Sequence, residues 1–331
     1  MGAKVSKRAA GKMESKKELE KVGYLGPTIG LPEGKTFADT TTFGYMAAQK
    51  HFQHHDNIEY MNFPSHEAIC VAVASQEIAY GVVAVENSIA GFVAETIRAI
   101  KDSDIDGGVH IQAEVMVPIE LYYMSKGTSK APPRAVISHA VALAQCDEFV
   151  QSLKHDGIDT EVRRSTGAAA YEASCDPTLA TIASARAEVE YGLTRIKQHS
   201  VTDSKEAETR FWVLSKKHAV KTGKDKTAIL VELKQEQSGA LYRALGCFVA
   251  SQEEENLFRL KPSDRPNLLY VFPVPITGLH QEYTFLMEFT GHVTDQSIHE
   301  GLRSFAKSGL MRGPARFIGS YPDTTSRPPK S

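Results

Sequence analysis

The sequence predicts an α/β protein whose C-terminal part forms a smaller second domain with the ferredoxin-like order βαββαβ. The first observation is Gly81–Val85, a continuous apolar run typical of a strand buried on both faces. The second is that a strand followed by a helix recurs several times before residue 216. The third is a polar, basic stretch at 216–226, which has the composition of a linker and precedes a second series of strands and helices.

The composition excludes several classes of protein. With 331 residues the chain is long enough for two domains, and its formal net charge of -2 gives no support for nucleic acid as the main partner. The longest apolar runs are too short to span a membrane. The four cysteines are widely spaced and form no paired metal motif, so we expect buried free thiols, a reducing, cytoplasmic location and no metal.

Two tails and a linker divide the chain. The N-terminal residues are basic and lack the apolar core of a secretory signal, while the residues after Pro322 are rich in proline and polar side chains. Both ends are therefore expected to be disordered. The predicted segments are an N-terminal tail at 1–20, a first domain at 21–216, a linker at 217–226, a second domain at 227–322 and a C-terminal tail at 323–331.

The first domain begins with a predicted strand at Lys21–Leu25, and its buried strand Gly81–Val85 ends on Glu86-Asn87-Ser88, just before a predicted helix. Polar residues at the carboxyl end of a strand, beside a helix start, are where open α/β sheets hold ligands. The alternative interpretation is that Asn87 or Ser88 only caps the helix.

Three further strands are each predicted to place a hydroxyl at the start of a helix: Ser138, then Ser165 and Thr166, then Ser184. A helix N-terminus offers unpaired N–H groups and about half a positive charge. Capping explains any one of these residues, but several in one cleft would suit an anionic substrate. Thr36 follows a glycine-rich stretch whose spacing is wrong for a nucleotide-binding loop, and it is a further candidate to face a smaller anion.

Thr209-Arg210-Phe211 leads into the apolar strand Trp212-Val213-Leu214. A hydroxyl beside a permanent cation, at the mouth of a strand, can donate a hydrogen bond within an anion-binding site. The tripeptide alone does not establish such a site.

The second domain is predicted from six elements in succession. They are a strand at Thr227–Leu233, a helix at 238–250, a strand at Asn256–Leu260, a strand at Tyr283–Phe289, a helix at Asp295–Ser308 and a strand at Ala315–Ile318. Small sheets of this kind often pair at their edges, so a homodimer, or a tetramer of paired dimers, is expected.

Several short motifs, in order along most of the chain, resemble the prephenate dehydratase family. They are Tyr24-Leu25-Gly26-Pro27, Glu86-Asn87-Ser88, Ser138-His139 with Gln145-Cys146, Ser165-Thr166, Tyr191-Gly192-Leu193, Thr209-Arg210-Phe211, Gly239-Ala240-Leu241 and Gly319-Ser320-Tyr321-Pro322. The resemblance implies a catalytic domain of periplasmic-binding-protein type, with two lobes around a cleft and two chain crossings between them. It also implies an ACT regulatory domain behind it.

The resemblance assigns roles to individual residues. Thr209 would help the C4 hydroxyl of prephenate to leave, with Glu86, Asn87 and Gln145 beside it in the catalytic set. Aromatisation drives the loss of carbon dioxide and water, so no metal, redox cofactor or nucleophile is implied. Arg210 either binds a substrate carboxylate or pairs with Asp203. The remaining implied substrate-binding residues are Thr36, Ser88, Ser138, Ser165 and Thr166.

Phenylalanine is the implied allosteric ligand of the ACT domain, at Gly239, Ala240 and Leu241 together with Asp264 and Arg265. The family's usual Glu-Ser-Arg-Pro is altered here to Ser-Asp-Arg-Pro, so an ACT domain kept only for dimerisation is the alternative. For the catalytic domain the alternatives are a dehydratase of arogenate, a decarboxylase that leaves the hydroxyl in place, and a non-catalytic binder of amino acids.

Overall fold

The computed structural model describes residues 19–26, 28–30, 36–89, 91–103, 108–127, 132–234, 238–248, 266–276, 278 and 282–324. Within these ranges the chain forms three mixed or antiparallel β-sheets with helices packed on them. A short antiparallel hairpin, β2 (Thr28–Gly30) and β3 (Thr36–Ala38), stands apart from the three sheets. The predicted α/β class is confirmed.

The first lobe is built on a six-stranded sheet with the order β4-β1-β5-β13-β7, and β6 pairs with β5. Its elements are β1 (Glu20–Leu25), α1 (Phe43–Phe52), β4 (Ile58–Phe63), α2 (His66–Ala74), β5 (Tyr80–Asn87), β6 (Gly91–Phe92), α3 (Ala94–Asp102), β7 (His110–Pro118) and β13 (Glu208–Ser215). β1 is parallel to β4 and β5, while β13 is antiparallel to both of its neighbours. Val82 and Val83 of β5 are fully buried, as the continuous apolar run predicts.

The second lobe has a five-stranded sheet with the order β10-β9-β11-β8-β12. Its elements are β8 (Leu121–Ser125), β9 (Ala135–His139), α4 (Ala140–Ala144), α5 (Asp147–His155), β10 (Asp159–Arg163), α6 (Thr166–Cys175), β11 (Leu179–Ser184), α7 (Arg186–Tyr191) and β12 (Thr194–Arg195). α7 is followed by Gly192 in the left-handed conformation (φ 61°), which glycine adopts readily at a helix end.

The chain crosses between the lobes twice. The first crossing is the short step from Pro118 at the end of β7 to Leu121 at the start of β8. The second runs from Arg195 at the end of β12 back to Glu208 at the start of β13, which inserts between β5 and β7. Because β13 returns to the middle of the first sheet, its first residues lie where the two lobes meet. The expectation of two lobes joined by two crossings is confirmed.

The C-terminal domain has a four-stranded antiparallel sheet with the order β15-β16-β14-β17. Its elements are β14 (Asp225–Glu232), α8 (Ala240–Gly246), β15 (Leu268–Pro275), β16 (Tyr283–Thr290), α9 (Gln296–Lys307) and β17 (Arg316–Pro322). The order βαββαβ is the predicted one. The predicted strand Asn256–Leu260 lies outside the described residues, and the strand that occupies this place in the order is β15. Its two prolines are tolerated because β15 is an edge strand, where missing N–H donors break no central ladder.

The boundaries of the linker and of the C-terminal tail differ from the prediction. Lys226 was assigned to the linker, but it lies within β14 and is only 1% exposed. Asp323 was assigned to the tail, but its Oδ1 lies 3.0 Å from Lys226 Nζ. Thr324 donates its backbone N–H to Glu114 Oε1 at 2.8 Å. Buried ion pairs and hydrogen bonds therefore extend the C-terminal domain at both of its ends. The polar, charged composition of these segments makes them resemble a linker and a tail in the sequence.

The C-terminal domain packs directly on the first lobe. β17 lies against β7, and Gly319 (φ 153°) permits the approach, since a Cβ there would lie 2.8 Å from Ile111 N. Ala228 and Leu230 of β14 belong to the same apolar core as Trp212 and Leu214 of β13. A shared core makes this interface part of the fold rather than a loose contact.

Cysteine burial follows the expectation only in part. Cys70 and Cys146 are buried free thiols, and burial raises the pKa of each to about 12. Cys175 is exposed and Cys247 is half-buried, so the expectation of burial is wrong for these two. Among the described residues, no helix is long and apolar enough to cross a membrane.

Candidate active site

The first residues of β13 meet the last residues of β5 at the mouth of the inter-lobe cleft. Thr209 lies opposite Asn87 and Arg210 lies opposite Glu86 in the strand register. The next pair is Phe211 with Ala84, so Val85 is passed over in the register of these two strands. Such a bulge re-aims the side chains beyond it and is common next to active sites. Thr209 is buried here, with 7% of its surface exposed.

Three uncharged side chains form a directed hydrogen-bond relay, which we call the amide relay: Gln145, Asn87 and Thr209. Asn87 Nδ2 donates to Thr209 Oγ1 at 2.8 Å, and Gln145 Nε2 lies 3.5 Å from Asn87 Oδ1, a long contact across the cleft. Asn87 Oδ1 also accepts the backbone N–H of Ile89 at 3.0 Å, which fixes the orientation of the amide. Since Thr209 Oγ1 accepts from Asn87, its own hydroxyl hydrogen is available to donate to another acceptor.

Gln145 reaches the cleft because it lies at a break between two helices. α4 ends at Ala144, Gln145 is its C-terminal cap, and α5 starts at Asp147. The carbonyl of Gln145 accepts the N–H of Asp203 at 2.9 Å, and the amide side chain is buried. The loop that precedes β13 therefore holds the residue that contacts Asn87.

Asp203 does not pair with Arg210, so that interpretation is wrong. The Asp203 carboxylate instead accepts the N–H groups of Asp147 at 2.7 Å and Glu148 at 3.2 Å, at the N-terminus of α5. A carboxylate is favourable there because the helix end is partly positive. Asp203 thus fixes the loop before β13 without touching the guanidinium.

Ser88 has a local structural contact. Its N–H donates to the Glu208 carbonyl at 2.9 Å, and its Oγ accepts the N–H of Glu208 at 3.0 Å. These two bonds join the end of β5 to the start of β13. The N-terminal cap of α3 is Val93, so neither Asn87 nor Ser88 caps that helix.

Of the three strands predicted to place a hydroxyl at a helix start, one does so. Ser165 caps α6 and accepts the N–H of Ala168 at 3.0 Å, with Thr166 as the first helical residue. Ser138 is fully buried and donates to the Ile182 carbonyl at 2.6 Å, and Ser184 donates to the Thr41 carbonyl at 3.0 Å. For Ser138 and Ser184 the prediction is wrong, because each strand runs one or more residues further than its apolar run.

A protein carboxylate occupies the N-terminus of α6. Ser165 Oγ donates to Asp39 Oδ2 at 3.3 Å, and the N–H and hydroxyl of Thr41 hold Oδ1 at 3.0 and 2.6 Å. A Cβ on Gly167 would lie 1.9 Å from Asp39 Oδ2, so only glycine permits this approach. Burial raises the pKa of Asp39, opposed by the hydrogen bonds from Thr41 and Ser165. The sequence analysis did not identify Asp39.

Arg210 lies in a largely buried group of ionisable side chains between the first lobe and the C-terminal domain. We call this group the interdomain charge cluster: Glu86, Glu114, Arg210, Lys226 and Glu288. Arg210 is 2% exposed, and its Nη1 donates to Glu288 Oε2 at 2.9 Å and lies 3.5 Å from Glu114 Oε2. Lys226 Nζ donates to both oxygens of Glu114, at 2.9 and 3.1 Å.

The contact between Arg210 and Glu86 is weaker in geometry. Arg210 Nε lies 3.3 Å from Glu86 Oε2, but without the alignment of a hydrogen bond. Burial raises the pKa of Glu86, Arg210 and Lys226 lower it, and Glu288 and Glu114 raise it, so the net displacement is upward. Glu86 therefore retains its proton to a higher pH than a solvated glutamate.

The comparisons with known proteins agree with this architecture. The family model described as prephenate dehydratase matches residues 38–219. The chain is 30% identical over 285 residues to the bifunctional chorismate mutase/prephenate dehydratase of Aquifex aeolicus, which covers 84% of this chain and 72% of the relative. This chain belongs to the prephenate dehydratase family.

Solved structures show the same fold over nearly the whole chain. The prephenate dehydratase of Arthrobacter aurescens in complex with L-Phe is 24% identical, with a TM-score of 0.72 over 93% of this chain and 91% of that one. A protein described as a novel type of quorum quenching acylase is 21% identical, with a TM-score of 0.71 over 92% of this chain and 99% of that one. At such identities the likeness establishes the fold and leaves the chemistry to the site.

The family match ends before the C-terminal domain and starts after Thr36. Thr36 lies in β3, and its side chain is outside the described part of the structure. Gly239 has the left-handed conformation (φ 73°) directly before α8, with Ala240 and Leu241 as the first helical residues. Asp264 and Arg265 lie outside the described residues.

The prephenate dehydratase motifs did not reveal three members of the charge cluster: Glu114, Lys226 and Glu288. A sequence signal exists for two of them. Lys226 lies two residues before the apolar run of β14, which begins at Ala228, and Glu288 is the one charged residue within the apolar run of β16. A charge in a central strand is stable only when it is paired, so two such charges predict a buried ion pair. The described residues contain no group of three or more His, Cys, Asp or Glu side chains that could hold a metal ion.

Proposed function

We propose that this chain catalyses the decarboxylating dehydration of prephenate to phenylpyruvate, a step of phenylalanine biosynthesis. The amide relay is the observation that supports this most directly. Gln145 and Asn87 each point an N–H toward the next oxygen, and the last hydroxyl, of Thr209, is left to donate into the cleft. Aligned donors polarise one another and need no reorganisation when charge develops on the leaving group.

The reaction needs little from the protein beyond placement and hydrogen bonding. The bond from the ring to its carboxylate breaks, its electron pair enters the ring, and the C4 hydroxyl leaves with the electron pair of the C–O bond. Carbon dioxide, an aromatic ring and, after one proton is taken up, water result. Thr209 contributes a hydrogen bond to the departing hydroxyl rather than a proton of its own, because an aliphatic alcohol is far too weak an acid.

We assign the proton that completes the water molecule to Glu86. It directly precedes Asn87 in β5, and its side chain is partly open to solvent, with 25% exposed. Its raised pKa keeps a larger fraction of the carboxyl protonated near neutral pH than a solvated glutamate would have. This assignment predicts that kcat/KM falls as the pH rises through the pKa of Glu86.

The carboxylates of prephenate need cationic or N–H partners that are not already used. The cations of the charge cluster are paired with protein carboxylates, so Arg210 is a poor candidate to bind a substrate carboxylate. We propose that a substrate carboxylate takes the place of Asp39 at Ser165 and Thr166, where a carboxylate is already accommodated. Asp39 then moves aside when substrate enters.

The activity is tested by incubating the purified protein with prephenate and following phenylpyruvate. Phenylpyruvate formation supports the proposal. A product that has lost carbon dioxide but retains its hydroxyl would identify the non-aromatising decarboxylase instead. Faster turnover of arogenate, with phenylalanine as the product, would assign the arogenate dehydratase. Tight binding of either compound without turnover would identify a binder, and the proposed catalysis would be wrong.

For the C-terminal domain we propose an ACT domain that pairs with that of a second copy, as a homodimer or a dimer of dimers, and binds phenylalanine. The βαββαβ order and the edge strand β15 support this proposal. Bound L-Phe in the Arthrobacter relative supports the choice of ligand. Tyr242, 83% exposed at the start of α8, is placed to contact a partner or a ligand.

Titration of the intact protein with phenylalanine in a calorimeter, alongside assays of activity, tests the regulatory proposal. Weak, cooperative inhibition is expected, since a site shared by two subunits couples them. Absence of both heat and inhibition at about millimolar phenylalanine, a concentration that detects binding with a standard free energy of roughly -4 kcal/mol, would leave a domain that serves dimerisation only.

A further inference from the structure

The C-terminal domain supplies a buried charge that touches the strand of the candidate catalytic threonine. Glu288 lies in β16 and is fully buried, and its Oε2 accepts a hydrogen bond from Arg210 Nη1 at 2.9 Å. Its other oxygen, Oε1, accepts from the hydroxyl of Tyr321 in β17. Both oxygens are therefore held, and the carboxylate has little freedom to move.

Arg210 is oriented by this distant domain more than by its own lobe. Its one short, aligned hydrogen bond is with Glu288, while the contacts with Glu86 and Glu114 are at 3.3 and 3.5 Å. The ring of Tyr270 in β15 lies 4.8 Å from the guanidinium carbon, and that of Trp212 lies 5.7 Å away. Two C-terminal strands, β15 and β16, thus contact one first-lobe side chain, and β17 holds Glu288 through Tyr321.

The position of Arg210 bears directly on the catalytic end of β5 and β13. Arg210 follows Thr209 without a break and is paired with Glu86, the neighbour of Asn87. The register shift that re-aims these side chains falls at Arg210. If the guanidinium of Arg210 moved away from Glu288, it would move toward Glu86. Arg210 Nε already lies 3.3 Å from Glu86 Oε2, without the alignment of a hydrogen bond.

We propose that Glu288 is a positioning residue for the reaction, which anchors Arg210 so that Glu86 and the Thr209–Asn87 pair keep their arrangement. The proposal rests on the proposed dehydratase function. In this arrangement the C-terminal domain completes the catalytic site rather than only regulating it. A ligand that shifts the C-terminal domain would reach the chemistry through the contacts of Arg210 with Glu288 and Tyr270.

The charges around Glu86 determine the direction in which its pKa should change when Glu288 is replaced. The charged and titratable groups that face it are Arg210 of β13, Glu114 of β7, Lys226 of β14, Tyr270 of β15 and Glu288 of β16. Tyr321 of β17 donates to Glu288. Glu288 raises the pKa of Glu86, and Arg210 lowers it. Loss of the Glu288 charge removes a raising contribution and frees Arg210 to approach Glu86, so both changes lower the pKa of Glu86.

The test is Glu288→Gln in the full chain, assayed for phenylpyruvate formation across pH. We expect kcat to fall by about 10- to 100-fold, the range for a catalytic group displaced by a fraction of an ångström to one ångström, with KM unchanged. The alkaline limb of the pH profile of kcat/KM is expected to move to lower pH. If Glu288 had only a structural role, its replacement would lower the fraction of active enzyme and leave the pH profile of kcat/KM unchanged.

Glu232→Gln is the matched control. Glu232 lies in the same sheet and also makes an ion pair across the domain boundary, 2.6 Å from Lys101 Nζ, but its contacts lie with Lys101 and Thr284. Its removal is expected to leave kcat and the pH profile as in the wild type. If Glu288→Gln does not fold, Glu288→Asp retains the charge and sets the carboxylate back by one methylene, and we expect an intermediate fall in kcat with a smaller movement of the limb.

Two outcomes overturn the inference. One is a folded Glu288→Gln, or Glu288→Asp if only that variant folds, with the kcat and alkaline limb of the wild type. The other is a fall in activity that matches the loss of folded protein, with the pH profile unchanged. If the wild-type protein itself forms no phenylpyruvate, the proposed function has failed instead, and the two failures are thereby distinguished.

Discussion

Thr209 and Arg210 are consecutive residues, but their side chains lie in two different kinds of environment. Thr209 belongs to the amide relay, which is uncharged and spans the cleft between the lobes. Arg210 belongs to the interdomain charge cluster, which joins the first lobe to the C-terminal domain and has two cations and three carboxylates. Successive side chains of a strand point in opposite directions, so one strand serves both surfaces.

The difference indicates how the two surfaces divide their roles. Neutral donors in the cleft can stabilise a departing hydroxyl without attracting counter-ions or repelling an anionic substrate. The charges are kept in the domain interface, where they fix the strand and set the proton affinity of Glu86. The comparison therefore predicts that changes in the relay alter turnover or substrate binding at nearly constant stability, while changes in the cluster also alter stability and pH dependence.

The largest expected effect is the loss of folding stability caused by Arg210→Met. The change leaves Glu288 and Glu86 buried or half-buried without their cation, and removal of one partner from a buried pair costs about 3–5 kcal/mol. Urea unfolding followed by the fluorescence of Trp212, the single tryptophan, would measure it at the interface itself, since Trp212 is fully buried beside Arg210.

Arg210→Lys is the control for charge alone. It retains the cation but loses the planar fork, so it should recover part of the lost stability. An unfolding midpoint of Arg210→Met equal to that of the wild type would show that the cluster contributes no net stability.

The next largest effect is expected for Thr209→Val, which retains the shape of the side chain and removes the hydroxyl. Loss of one donor to the transition state lowers kcat by about 100- to 1,000-fold. The unfolding midpoint should change far less than in Arg210→Met, which separates rate from stability. Thr209→Ser keeps the hydroxyl and should retain most of the activity. A Thr209→Val enzyme with wild-type kcat would remove Thr209 from the mechanism.

The α/β class and the two series of elements could be predicted because they depend on local patterns. The apolar run Gly81–Val85 could only be a buried strand, and Ser165 before an alanine-rich helix is a local cap. Element ends were less predictable. Ser138 and Ser184 continue their strands because pairing with neighbours, absent from local sequence, extends each strand past its apolar run.

The candidate site was predictable where a motif is local and not where contacts come from far along the chain. Asn87, Gln145 and Thr209 were identified, and the structure brings them together. The partners of Arg210 were not, because Glu288 is 78 residues away in sequence and belongs to another domain. Asp39 was missed for the same reason, since it meets Ser165 across 126 residues.

A smaller effect is expected for Gln145→Ala. The contact between Gln145 Nε2 and Asn87 Oδ1 is long, 3.5 Å, so its loss perturbs Thr209 little. If the amide binds substrate equally in the ground and transition states, the change appears in KM, by roughly 2- to 10-fold for one hydrogen bond. Steady-state kinetics would decide, and a large fall in kcat at constant KM would place Gln145 in the rate-determining donor set instead.

The smallest expected effect concerns Asp39, and it is one of pH dependence. Burial raises the folded-state pKa of Asp39, so between the unfolded-state pKa of about 3.9 and the higher folded value the folded protein binds more protons than the unfolded chain. Stability contributed at this site therefore falls as the pH rises through that window. Asp39→Asn cannot titrate, so its free energy of unfolding should lack this fall.

Comparison of wild type and Asp39→Asn by urea unfolding over a series of pH values that starts below about 3.9 and rises to neutral measures the difference directly. Relative to the wild type, the free energy of unfolding of Asp39→Asn should be larger at the higher pH. Ser152→Ala, in the second lobe away from Asp39, is a suitable control, because Ser152 is a half-exposed hydroxyl whose bond is to the Phe149 carbonyl of its own helix. A variant that loses stability relative to the wild type as the pH rises would show that the Asp39 carboxylate is held charged by Thr41 and Ser165, against the direction assigned to burial.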